Sequence, residues 1–300
     1  MALMLRKVRR IVTGTKQVDG AGVELTRVIG KPDVEDFDPF LMLDAFDHDD
    51  PSKYTKGFPW HPHRGIETVT YLLEGEIDHG DSLGNRGVIK DGDCQWMTAG
   101  SGIIHQEMPQ AQPKMLGVQL WVNLPARQKM TTPRYRDFTR ADIPAVKEAG
   151  HTIRIISGSY REVKGPMEEI TVQPTFLEVT VEAGKPFNYK TEPGETLFIY
   201  ILKGAATLPA DNDRVIEARQ AVLFDKGDEL NLKATGNGLL MLLFSGKPLH
   251  EPIAWGGPIV MNTREELALA FKEIDEDTFI KEHRGDGTIS GNRVNQGFYK

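Results

Sequence analysis

Short runs of β-branched and aromatic residues, each closed by a glycine or acidic turn, recur along almost the entire chain. ETVTYLLEGEI from Glu67, GVIKDGDCQWM from Gly87 and MLGVQLWVNL from Met115 are examples from the first half. TFLEVTVEAG from Thr175, ETLFIYILKG from Glu195, AVLFDKGDELNL from Ala221 and GLLMLLF from Gly238 continue the pattern. Strands this short and this closely spaced must bury one face against another sheet, which predicts an all-β sandwich or barrel. The 30 glycines and 18 prolines supply the turns such a fold needs. Helix signals are few. ADIPAVKEAG, from Ala141, reads as a short helix closed by Gly150. NTREELALAFKEI is a stronger candidate. Thr263 and Glu266 form a capping box, and Leu267, Ala270, Phe271 and Ile274 share one face. The last stretch, EHRGDGTISGNRVNQGFYK, lacks apolar periodicity and is expected to be a loosely held tail.

A weak repeat organises these strands. Tyr71-Leu72-Leu73-Glu74-Gly75 recurs 129 residues later as Tyr200-Ile201-Leu202-Lys203-Gly204. Each copy follows a Glu-Thr strand start and precedes a Gly-Asp turn, Gly92-Asp93 and Gly227-Asp228. The shared order predicts two copies of one β unit. The expected division is 1–135 for the first domain, 136–150 for a linker, 151–290 for the second domain and 291–300 for a tail.

Composition narrows the function classes. The 36 basic and 43 acidic residues leave a net charge of −7, which argues against coating nucleic acid or an acidic membrane. No apolar run approaches the roughly 18 residues of a membrane span. At the start, Arg6, Lys7, Arg9 and Arg10 follow a short apolar run, the reverse of a secretory signal. A first strand with basic residues facing solvent is expected there. The single cysteine, Cys94, excludes an intrachain disulfide and reads as a buried small residue in a strand. A soluble, cytoplasmic, monomeric protein is the expectation.

The histidines carry the chemistry. WHPHRGIE holds His61, His63 and Glu67, and SGIIHQEMP holds His105 and Glu107. Side chains two apart on a strand face the same way, so His61 pairs with His63 and His105 with Glu107. A single His-x-His pair is usually a surface or hydrogen-bonded pair. A second pair at the same spacing, 42 residues on, favours a metal centre. If both strands face one interior, three imidazoles and a carboxylate converge on a borderline divalent ion: Fe, Mn, Co, Ni, Cu or Zn. Between residues 152 and 249 there is no histidine, and the repeat offset places Lys190 and Glu192 where His61 and His63 stand. That stretch therefore offers no histidine or cysteine ligand. His79 reads as a turn or surface residue. The acidic loop around His48 reads as solvated, and His151, His250 and His283 have no partner at ligand spacing.

GFPWHPHRGIETVTYLLEG resembles the first motif of the cupin superfamily through Gly57, His61, His63, Glu67 and Gly75. GDCQWMTAGSGIIHQEMP resembles the second, with two extra residues before His105 and with Glu107 after it. That departure marks the pirin family. RIISG from Arg154, KGP from Lys164 and GKPLHEPIAWGGPIVMNTREEL from Gly246 extend the likeness weakly through the second half. The resemblance implies two tandem cupin domains of β-barrel or jelly-roll type with a few short helices. It implies metal in the first domain only, on His61, His63, His105 and Glu107, with iron favoured, and a terminal helix packed back on that domain. Glu67, a ligand in many other cupins, is not one in pirins. Its parity with 61 and 63 points it toward the same interior, beside the ligands, with a structural polar role or ligation as alternatives.

Pirins carry two kinds of role. The enzyme reading is a quercetinase-type dioxygenase, which opens a flavonol ring with O2 and releases carbon monoxide. In it Glu107 accepts the 3-hydroxyl proton. The alternative is a metal-bearing regulator that binds a protein partner, in transcription or redox sensing, without turnover. A third reading is another cupin enzyme, such as a sugar isomerase or a dioxygenase for a different phenolic.

Overall fold

A computed structural model of the chain describes residues 3–168 and 171–282. The expected tail and His283 lie outside them. The described residues fall into two units interleaved along the sequence. One gathers residues 16–34, 40–140 and 249–282, and the other gathers 3–15, 35–39 and 141–248. Among the described residues no helix is long and apolar enough to cross a membrane.

The histidine-bearing unit is built on two antiparallel sheets. In the larger, the strands run Arg134–Phe138, Cys94–Thr98, Ile66–Glu74, Met115–Asn123, Phe40–His48, Val23–Ile29 and Thr15–Asp19. In the smaller they run Phe58–His63, Ile103–Pro109, Ile77–Asp81 and Arg86–Ile89. Alternate side chains of the strands meet in two apolar clusters. Leu72, Ile77 and Met115 belong to one, and Ile66, Met97 and Trp121 to the other. Because Ile66 and Leu72 sit near opposite ends of one strand, the clusters cap opposite ends of the interior. Cys94 is buried, and desolvation raises its thiol pKa far above the ordinary value, so it is an inert packing residue.

The other unit is one curled antiparallel sheet. Its main path runs Val8–Val12, Ala221–Phe224, Thr196–Leu208, Glu229–Gly246, Thr175–Val181, His151–Ser157 and Ala145–Glu148. The two longest strands, of 13 and 18 residues, bend against each other at register shifts near Lys203 and Ala206. Gly204, the glycine of the repeat, makes the bend possible. Its φ is +79°, and a Cβ there would lie 2.0 Å from the Gly238 carbonyl oxygen. The curl encloses an apolar core that includes Ile155, Leu177, Phe187, Ile199 and Leu243.

Three local expectations need correction. Residues 141–150 contain no helix; Ala145–Glu148 is a strand paired with His151–Ser157. Pro144 has no N–H to donate, and Gly150, at φ +93°, makes the turn of a hairpin. Arg6 does not face solvent as Lys7 and Arg9 do. It is buried, and its guanidinium donates to the carbonyls of Glu192, Glu195 and Asp225 and to Thr191 Oγ1. The first strand, meanwhile, pairs with residues more than 200 positions away, as in Ile11 with Val222. His79 lies neither in a turn nor on the surface, as described below.

The terminal helix runs Arg264–Asp275 with the expected capping box. Ala270 is buried, and Leu267, Phe271 and Ile274 pack beside it against Ile104, Ile259 and Met261.

Candidate metal centre

The smaller sheet brings the histidines together. Phe58–His63 pairs with Ile103–Pro109 so that His105 lies opposite His61 and Ile103 opposite His63. Opposed residues on antiparallel strands point to the same face. The three ring centroids are 4.3, 4.9 and 5.0 Å apart, and each ring offers a nitrogen within 4.8 Å of the others. All three rings are buried.

Their protonation follows from their partners. A ring nitrogen, Nδ1 of His61, lies 2.8 Å from the Pro59 carbonyl oxygen, and Nδ1 of His63 lies 3.0 Å from that of Pro258. A carbonyl oxygen only accepts, so each Nδ1 carries the proton and donates. Burial lowers the pKa of all three rings, and the neighbouring imidazoles lower those of His63 and His105 further. They are therefore neutral, and the Nε2 atoms of His61 and His63 present bare lone pairs to each other at 3.1 Å. Neither ring nitrogen of His105 has a hydrogen-bond partner among the described residues. Facing lone pairs and an unpartnered buried imidazole are costly unless a cation stands among them. Two nitrogens about 2.1 Å from one ion, at near right angles, lie about 3 Å apart. The donor set thus fits a divalent metal.

Glu107 is buried beside this cluster, past a register shift between His105 and Glu107. It is not among the groups that lie within 4.8 Å of one another, which among the described residues are the three histidines alone, and both its oxygens are held by other side chains. Thr70 Oγ1 donates to Oε1 at 2.9 Å, and Gln119 Nε2 donates to Oε2 at 2.7 Å. Trp121 Nε1 donates to Gln119 Oε1 at 3.3 Å, and the Trp121 ring stands edge-on to His63. Thr70, Gln119 and Trp121 escape sequence reasoning, although the parity of the strands from Ile66 and Met115 places them inward.

The carboxylate, Thr70 and Gln119 form the polar end of a narrow pocket with room for about one water molecule. Val23, Phe46, Tyr54, Phe58, Ile77 and Met115 line the rest.

Glu67 does not point into this interior. The strand Ile66–Glu74 pairs regularly with Cys94–Thr98, so Glu67 and the inward-facing Thr70 lie on opposite faces. The parity count fails at Gly65, whose φ of +79° breaks the chain between the two strands. Glu67 Oε1 instead accepts from Thr98 Oγ1 at 2.7 Å, and burial raises the pKa of the carboxyl.

His79 is buried on the strand Ile77–Asp81, directly opposite Glu107. Its Nδ1 bonds Tyr135 Oη, and its Nε2 lies 3.3 Å from Asp137 Oδ2. Room for the ring comes from Gly87 on the next strand, where a Cβ would fall 2.6 Å from Nε2.

Residues 22–122 match the Pirin family, and residues 176–280 match the Pirin C-terminal cupin domain. A pirin-like protein of Caulobacter vibrioides is 43% identical over 278 residues, covering 92% of this chain and 99% of the relative. Human pirin is 38% identical over 269 residues, covering 88% and 91%. The crystal structure of quercetin 2,3-dioxygenase from Acinetobacter baumannii superposes with a TM-score of 0.84 at 31% identity. That match covers 92% of this chain and 98% of the other. The buried three-histidine interior thus sits on an all-β chain of two cupin domains, and the chain belongs to the pirin family.

Proposed function

We propose that the protein is a flavonol dioxygenase of the quercetinase type, with one divalent ion, iron by preference, held by His61, His63, His105 and Glu107. The observation that carries this reading is the meeting of three buried imidazoles, with the buried carboxylate of Glu107 two residues along the strand from His105. The likeness to a structure named as a quercetin 2,3-dioxygenase supports the substrate class. When bound, the ion supplies Lewis-acid polarisation of the flavonol oxygens and a redox centre for O2.

The chain's own residues do the rest. Phe46, Phe58 and Met115, which line the narrow pocket beside Glu107, part to receive the flat aromatic body and then exclude water. Glu107 accepts the proton of the 3-hydroxyl, since it is the carboxylate at the polar end of that pocket. Gln119 and Thr70 hold its two oxygens while it does so. Ring opening then consumes O2 and releases carbon monoxide. Iron-loaded protein incubated with quercetin under O2 is expected to bleach the flavonol absorbance and release carbon monoxide. No bleaching and no carbon monoxide with any of the six candidate ions would refute the reading.

A further inference from the structure

His61 and His63 are each oriented by a carbonyl, but the two carbonyls come from different parts of the chain. That of Pro59 is two residues from His61, whereas that of Pro258 is 195 residues from His63. The segment around Pro258 is fastened to the residues just after His63. Val260 N donates to the Arg64 carbonyl at 3.1 Å. Arg64, itself buried, donates to the Phe279 carbonyl at 2.9 Å, pairs with Glu273 at 2.7 Å and lies 4.3 Å over the Phe279 ring. Lys129 Nζ ties the carbonyls of Gly65 and Val260 together at 2.8 and 2.9 Å. The approach is so close that a Cβ on Gly65 would stand 2.0 Å from the Val260 oxygen.

We propose that residues 254–280 are a positioning strap for the metal centre, and that its Pro258 carbonyl fixes the tautomer of His63. A neutral histidine side chain in water favours the proton on Nε2. Held against Pro258, His63 carries it on Nδ1 and keeps Nε2 bare. Released, the ring would place its proton on the atom that faces His61 Nε2, and that donor would be lost. What Nε2 is used for rests on the metal reading above. The tautomer does not.

The test uses the full chain with Phe279→Ala or Glu273→Gln, which loosen the strap without altering a proposed ligand. Ile89→Ala, a buried position in the cluster with Leu72 and Met115, is the control for general destabilisation. Nitrogen-15 spectra of the histidine rings in metal-free protein report the tautomer, and competition with a chromophoric chelator reports the affinity for Fe²⁺ and Zn²⁺. Wild type is expected to show His63 protonated on Nδ1. Both strap variants are expected to shift it toward Nε2 and to bind the ions about tenfold more weakly, with the control unchanged. Strap variants with unmoved spectra and affinity overturn the proposal, as does a control that loses as much. A tautomer that shifts as expected in a chain that binds no ion supports the strap and defeats the metal reading instead.

Discussion

Glu107 depends on its neighbours more than on its position in the motif. Replacing Gln119 by Leu leaves Oε2 without its donor in an apolar cavity. Flavonol turnover is expected to fall about tenfold or more while elemental analysis shows the metal content retained. Glu67 gives a pH prediction of opposite character. Burial raises its pKa above the ordinary carboxylate value, so between that value and the folded pKa the folded state binds more protons than the unfolded one. The contribution of this group to stability therefore falls as pH rises through that window and stays low above it. Glu67→Gln is expected to raise the melting temperature at pH 7 and to flatten that slope, as followed by thermal unfolding across pH 4–8. That His61, His63 and His105 meet was legible because strand parity is local. The same counting misdirected Glu67, since one positive-φ glycine resets it. His79 was misread for a related reason: the glycine beside it suggested a turn. A glycine in a strand also marks a close approach, and Gly87 across the ladder makes room for the imidazole.

Among elements, the start of the terminal helix was readable, because Thr263 and Glu266 cap it within one turn. The stretch 141–150 was not. Its helix formers are overruled by Pro144 and by a partner strand on the far side of Gly150. The bend in the second unit rests on Gly204 in the same way that turns rest on glycine. Gly204→Ala brings a methyl within 2.0 Å of a backbone oxygen at a φ that disfavours any side chain. It is expected to cost about 2–3 kcal/mol in denaturant unfolding, whereas Gly184→Ala, with open space around it, costs less.

For the whole molecule, the 129-residue repeat announced two copies of one β unit, and the core of each is built as strand alternation requires. What it could not announce is the interleaving. A half-buried strand such as Val8–Val12 shows in its sequence that it pairs, not with what. The anchor of that pairing is Arg6, whose guanidinium satisfies three carbonyls. Arg6→Ala leaves those acceptors buried and is expected to lower unfolding stability by about 3 kcal/mol, read from the chemical-denaturation midpoint.

The order of synthesis acquires a meaning from the Pro258 contact. A nascent chain displays His61, His63, His105 and Glu107 before half of it has been translated, yet the carbonyl that orients His63 emerges almost 200 residues later. On the ribosome the centre is therefore completed last, after the intervening unit has been made. Arrested chains ending at residue 248 are expected to retain far less iron than those released at full length, as measured on purified ribosome complexes. On the proposed metal reading, firm binding of the ion waits for translation of Pro258, and a fragment that stops short of it is expected to hold the ion weakly.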